Sequence, residues 1–220
     1  MRDKPMVQAA VDVEDLEQGL AVARMAADCG AEWIEIGTPL LFRYGYEVIA
    51  AFRDAVGDRA KLIADYKFPY GMLVMDDVAR HGADYVLVGA GYQEQLILDT
   101  VQKGGELGIV PVFHLGVHPR DYTRYARIYA DMGAKYFFTH HYYEARNAQD
   151  DSVTRYDNLK NLRACGDDIR IIVTNDDFED AVFCAAEGAD MICFGAVLRG
   201  PESSPGVCRK WVEAIHGARG

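Results

Sequence analysis

Several things are scarce in this chain of 220 residues. It has no apolar run near the roughly 18 residues that a membrane-spanning helix needs, so no membrane span is expected. Its opening, MRDKPMVQ, has no apolar stretch of signal-peptide length, and a cytoplasmic location is expected. Cysteine is sparse: Cys29, Cys165, Cys184, Cys193 and Cys208 are odd in number, widely spaced and never in a CxxC pair. That argues against a disulfide framework or a thiolate metal site and for a reducing compartment. Positive charge is the minority sign. The 23 Lys and Arg are outnumbered by 34 Asp and Glu, leaving a net charge of −11. A surface of that sign repels nucleic acid and anionic membrane, so neither is expected as a partner. No low-complexity segment, charge run or linker marks a domain boundary.

What is present is alternation. Apolar, β-branched runs begin at Val7, Trp33, Lys61, Tyr85, Ile109, Tyr136, Ile169 and Met191. They end at Val11, Gly37, Lys67, Ala90, Leu115, His140, Thr174 and Gly195. Stretches of helical period separate them. One holds Leu16, Leu20, Ala23 and Ala26, and others run over about Tyr44–Val56, Met72–His81, Gln93–Leu107, Arg120–Met132 and Tyr156–Cys165. FEDAVFCAAEG and a closing segment near Gly206–His216 complete the set. Near-continuous apolar strands suit a parallel sheet covered by helices on its outer face. The phrases DCGAEW, RHGADY, DMGAKY and AEGADM recur at helix-to-strand junctions. Each ends a helix on Gly and starts a strand after Ala and one polar residue. The expectation is a single-domain (β/α)8 TIM barrel over residues 1–220; an open doubly wound sheet of eight strands is the alternative.

In a barrel of this kind the reactive groups stand at the carboxyl ends of the strands. That rule selects Asp12 after strand one, Glu35 in strand two, Asp65 and Lys67 in strand three, and His114 in strand five. It also selects His140 and His141 at strand six, Asn175 with the two aspartates after strand seven, and Gly195 with Arg199 after strand eight. Asp65 and Lys67 are two apart and should face the same way, with Tyr66 facing the helices. Taken alone, that pair also fits a structural ion pair. Asp12, Glu35 and Asp65 converging with one ammonium make a poor packed core but a good site for a hard cation such as Mg2+.

The segments VQAAVD, EWIEIGTPLL and LIADYK resemble those of the orotidine 5'-monophosphate decarboxylase suprafamily, in particular its 3-keto-gulonate 6-phosphate decarboxylase and hexulose-6-phosphate synthase branches. The likeness is densest from Val7 to Lys67. It implies that Glu35 and Asp65 bind Mg2+ (or Mn2+) and that Lys67 and Asp12 help to hold a cis-enediolate. It implies a lyase that either loses CO2 or performs an aldol step on a small hydroxylated keto compound. It also implies a homodimer.

Three departures qualify the resemblance. The family motif DxKxxD ends here on Tyr70, which either donates a hydrogen bond or packs at a subunit boundary. The strand-seven loop, glycine-rich in the family, reads Thr174-Asn175-Asp176-Asp177. There Asn175 or Asp176 can cap the next helix, and their side chains crowd a phosphate dianion. Gly195 and Arg199 are then what remains to receive that end of a substrate. Around strand six, FTHHYYEARNAQ offers His140, His141 and Arg146 for proton delivery, while His114 stands where the decarboxylases carry a carboxylate. A non-phosphorylated substrate is expected. An isomerase or epimerase working through the same enediolate, or a barrel that binds a metabolite or partner without turnover, are the alternatives.

Overall fold

The computed structural model describes residues 4–68, 70–89, 93–117, 122–140 and 155–219. Eight parallel strands close on themselves in sequence order. They are β1 (Met6–Val11), β2 (Trp33–Ile36), β3 (Lys61–Phe68), β4 (Tyr85–Gly89), β5 (Val110–His114), β6 (Tyr136–His140), β7 (Arg170–Thr174) and β8 (Met191–Phe194). Closure is made by β1 pairing with β8, Met6 against Met191 and Ala9 against Phe194. No open edge is left between first and last strands, so the barrel holds and the doubly wound alternative fails. Among the described residues no helix is long and apolar enough to cross a membrane.

Side-chain parity sorts the core into two layers. Ala10, Trp33, Ile63, Leu87, Val112, Phe138, Ile172, Met191 and Cys193 fill the barrel interior. Their strand neighbours Val7, Ala9, Val11, Ile34, Ile36, Leu62, Ala64, Val86 and Phe113 pack outward against the helices. The rings of Trp33, Tyr85 and Tyr136 stack across the amino-terminal end, with centroids 3.7–5.7 Å apart. That end is therefore plugged with aromatic side chains, and Gln8, in register with Trp33, is where the inward positions turn polar.

The repeated junction phrases have a geometric cause. Gly30, Gly82, Gly133 and Gly188 all hold positive φ, between 96° and 121°, a conformation in which any Cβ is strained. The polar residue two places later ties strands together. The backbone carbonyls of Glu32, Asp84, Lys135 and Asp190, each just ahead of its own strand, accept the amides of Lys61, Val110, Arg170 and Met6, each at the opening of the next strand round the barrel. The side chains of Glu32, Asp84 and Asp190 accept the amides of Val7, Leu62 and Ile171 in the strand before. Three consecutive strands are thus pinned at one residue. Lys135 is the exception in charge, and it pairs with Asp168 instead.

Helix boundaries differ from the sequence expectation in one place that matters. After α1 (Leu16–Asp28), the helix expected from Tyr44 to Val56 is present as α3 (Glu47–Val56), and an additional helix outside that expectation, α2 (Thr38–Tyr44), precedes it, the two parted by Gly45 at φ 66°. Pro39 sits in the first turn of α2, where its missing N–H costs nothing. The helices that the site and its surroundings use are α4 (Met75–Arg80), α5 (Glu94–Leu107), α6 (Tyr122–Asp131), α7 (Arg155–Arg163), α8 (Phe178–Ala186), the short α9 (Ala196–Arg199) and α10 (Pro205–Gly217).

Candidate active site at the barrel mouth

Parity carries Gln8, Ala10 and then Asp12 inward along β1, and Trp33 and then Glu35 along β2. The registers place Ala10 beside Glu35 and Glu35 beside Ile63, so Asp12, Glu35 and Asp65 climb neighbouring strands to one level. One carboxylate oxygen from each lies within 4.8 Å of the others. Glu35 and Asp65 are buried, at 3% and 0% exposure. Three carboxylates this close repel one another, and Glu35 and Asp65 are also shielded from water. Burial first, and Asp65 second, push the Glu35 carboxyl well above the ordinary carboxylate range. The same two causes raise Asp12, opposed by Arg199 and Lys67. Gly37 makes room for this packing, since a Cβ there would come within 2.4 Å of Asp12 Oδ1.

The oxygens are unequally provided for. Glu35 Oε2 accepts from Gln8 Nε2 and, at 3.5 Å, from the buried Cys193 thiol. Asp65 Oδ2 accepts from Lys67 Nζ and has the Thr38 hydroxyl at 2.9 Å. Asp65 Oδ1, by contrast, is buried with no partner among the described residues. An anionic oxygen sealed from water without a donor is costly, and a cation is the economical solution. The donor set is all carboxylate oxygen, which suits Mg2+ or Mn2+.

Lys67 reaches Asp65 by a route other than simple alternation. Its φ is 49°, the one positive value at a non-glycine among the described residues, and the β3–β4 register shifts between Asp65 and Phe68. A left-handed lysine costs on the order of 1 kcal/mol, which the Asp65 contact offsets. Burial would lower the Lys67 ammonium, yet Asp65 and Glu35 outweigh it and raise it above the usual range. Lys67 is therefore a fixed cation. Tyr66 turns outward as expected and packs on Tyr46.

The β7–β8 side differs from the capping expected there. Asp177, not Asn175 or Asp176, caps α8, accepting from the Asp180 amide at 2.9 Å. Asn175 is buried because its own amide bonds back to the Cys193 carbonyl, and its Oδ1 accepts from the Asp177 amide. Asp176 is left facing the neighbouring loop, where its Oδ1 accepts from the amides of both Gly195 and Ala196 at 2.8 Å. Arg199 Nη1 lies 3.5 Å from Asp12 Oδ2, which joins this side to the carboxylate cluster.

Of the remaining candidates, His114 closes β5, is buried, and stacks its ring 5.7 Å from Phe138. Tyr70 is 44% exposed beside Phe68. The backbone of His140 pairs with Thr174 at the end of β6. The His140 side chain, His141 and Arg146 lie outside the described residues. Sequence reasoning passed over Gln8, Thr38 and Cys193. Gln8 was detectable as a polar residue at an inward position of an apolar strand; Thr38 and Cys193 carry no such signal.

Comparison with known proteins agrees with this geometry. The family model described as the orotidine 5'-phosphate decarboxylase / HUMPS family matches residues 5–147. The bifunctional enzyme Fae/Hps of Archaeoglobus fulgidus is 29% identical over 108 residues. That stretch is 49% of this chain but only 27% of the relative, so the chain corresponds to a part of that protein. The 3-hexulose-6-phosphate synthase of Salmonella typhimurium has a similar structure, with a TM-score of 0.82 at 21% identity over 98% of this chain and 100% of that one. The 3-keto-L-gulonate-6-phosphate decarboxylase of Vibrio cholerae gives 0.79 at 22% identity over 96% and 99%. At such identity these structures establish the fold. With a family model covering more than half of its length, the chain belongs to the orotidine 5'-phosphate decarboxylase / HUMPS family.

Proposed function

We propose that the protein is a Mg2+- or Mn2+-dependent carbon–carbon lyase, a decarboxylase or aldolase acting through an enediolate on a small hydroxylated keto compound. The observation that carries this reading is the buried Asp65 Oδ1 left without a donor inside a cluster that already includes Glu35, Asp12 and the fixed Lys67 ammonium. Glu35 and Asp65 would hold the ion. Bound there, it would supply positive charge to oxygens that turn negative during the reaction. Lys67 is the protein's own group for that purpose: it stays protonated and Asp65 aims it. Asp12, raised by burial and by Asp65, sits where it can exchange a proton with substrate oxygen or carbon. His140, His141 and Arg146 are proposed for proton delivery at the strand-six side, and His114 with Tyr70 for contacts to substrate. Asn175, Gly195 and Arg199 belong to the opposite rim. A reducing cytoplasm and a homodimer complete the proposal; all five cysteines are unpaired.

Calorimetric titration of Mg2+ into the wild type and into Asp65→Asn tests the metal assignment. Binding should weaken at least tenfold in the variant, and equal affinity would falsify it. Turnover in D2O tests the reaction class. Carbon–carbon cleavage supports a lyase. Deuterium entering the substrate with the carbon skeleton intact supports the isomerase alternative.

A further inference from the structure

We propose that Asp176 is a specificity-determining residue: its carboxylate fills, from within the chain, the amide pair between strands seven and eight, so the substrate end lying there is an uncharged polyol. The proposal rests on the lyase reading for the reaction but not for the binding it describes. Barrels of this architecture frequently receive a phosphate at the loops after strands seven and eight. Two backbone N–H groups converging on one point form an anion position, and here the point is already taken. Gly195 N and Ala196 N both donate to a single oxygen, Asp176 Oδ1, at 2.8 Å. Charge-assisted bonds from neutral amides to a carboxylate are among the stronger kind. A tethered carboxylate also competes at high effective concentration against any anion arriving from solution.

Geometry around the pair reinforces the exclusion. The backbone of Asp176 is held by the Asx turn at Asn175 on one side and the Asp177 cap on the other, which keeps its carboxylate within reach of the amide pair. Gly195 is packed against Ala10, with Arg199 Nη1 3.0 Å from where a Cβ would stand, so the backbone beside the amide pair has no room for a side chain. Arg199 itself is turned to Asp12. The charges whose fields meet at Asp12 are Asp65 and Asp176 against Lys67 and Arg199. With Asp12 and Glu35 included, the acids exceed the bases by two, which a divalent cation balances. A phosphate dianion would restore the excess. A hydroxylated chain would not, and the exposed Asp176 presents its second oxygen, Oδ2, as an acceptor for substrate hydroxyls.

Sulfate binding to the metal-free full-length protein, measured by calorimetry on wild type, Asp176→Gly and Asp176→Asn, tests this without any turnover. Asp176→Gly, which frees both amides, should bind sulfate at least tenfold more tightly than wild type. Asp176→Asn, whose amide oxygen can keep both hydrogen bonds, should gain less than Asp176→Gly. A glycine variant that melts cooperatively yet binds sulfate no better than wild type overturns the proposal. Should that variant fail to fold, the wild type loaded with Mg2+ decides: a six-carbon ketose should bind more tightly than its 6-phosphate, and the opposite order, or the absence of any preference, overturns it. Failure of the lyase reading would appear separately, as absent bond cleavage with the sulfate result unchanged.

Discussion

At the scale of single residues the mouth is arranged at the expense of stability. Glu35 is a carboxyl buried beside two others, and its pKa is raised in the folded chain by burial and by Asp65. The unfolded chain has no such neighbours. Between the ordinary carboxylate value and the raised one, the folded protein keeps a proton that the unfolded chain has lost. Stability of the metal-free protein therefore falls as pH rises through that window and levels off once both states are ionised. Glu35→Gln should reduce the slope, leaving the part that the raised Asp12 contributes, and stabilise the metal-free protein above the window by on the order of 1–3 kcal/mol. That is about 2–4 °C in Tm for each kcal/mol at this chain length. Thermal melts from pH 5 to 8 check it, and a variant less stable than wild type at pH 8 would show that Glu35 is a structural group. Metal binding has the opposite pH sign. The ion needs an ionised Glu35, so Mg2+ affinity rises with pH through the same window and each binding event releases protons. Calorimetry in two buffers of different ionisation enthalpy reads that release directly.

At the scale of elements, the junction residues do for strands what caps do for helices. Asp190 is buried at 5% exposure, accepts the Ile171 amide, and pairs with Arg163 and Arg170. Asp190→Ala leaves the buried Ile171 amide without its acceptor and the half-buried Arg163 guanidinium with only the carbonyls of Ile169 and Gly188, at a cost of about 2–4 kcal/mol. Asp84 makes the same connection with Leu62, Arg53 and Lys61 but stands closer to solvent, so Asp84→Ala should cost less. Urea unfolding of both variants measures the order, and equal losses would contradict the burial argument. The repetition of GAE, GAD and GAK was legible in the chain, and so was the barrel, because eight apolar runs with helical spacers leave few other architectures. The reason for the repetition was not legible. The partners of Glu32, Asp84 and Asp190 lie 19 to 25 residues away in a preceding strand, and a backbone amide has no letter of its own. The same limit hid the Asp176 bridge to Gly195 and Ala196. Strand parity did find Asp12, Glu35 and Asp65, because alternation converts position directly into direction. It found Lys67 for an incomplete reason, since the backbone turns to φ 49° at that residue before the side chain returns to Asp65.

At the scale of the molecule, six of the seven exposed large apolar side chains among the described residues come from three stretches of the chain. Phe42 is 79% exposed, Leu73 64%, Tyr70 44%, and Phe68 and Leu98 41% each. They belong to α2, the end of β3 with the segment after it, and α5; of the other two, Tyr44 also lies on α2 and Phe183 lies on α8. These pieces touch, α2 against β3 and the Gly71–Leu73 turn against α5, where a Cβ on Gly71 would meet Val88 and Thr100. Exposed apolar side chains gathered on neighbouring elements suit an interface. A second copy of the chain is the proposed occupant, bringing Tyr70, three residues after Lys67, to the boundary between two mouths. Light scattering should show a dimer at micromolar concentration, and the double variant Phe42→Asp with Leu73→Asp should shift it to monomer. Glu35, Asp65 and Lys67 all come from one chain, so the monomeric variant should keep its Mg2+ affinity within about threefold, a change of roughly 0.6 kcal/mol. Turnover should drop far more than that, because the covering of the mouth and the placement of Tyr70 depend on the neighbour. A wild type that is monomeric at every concentration would remove the dimer. A monomeric variant with undiminished turnover would show that the apolar face serves assembly alone and that each mouth is complete within its own barrel.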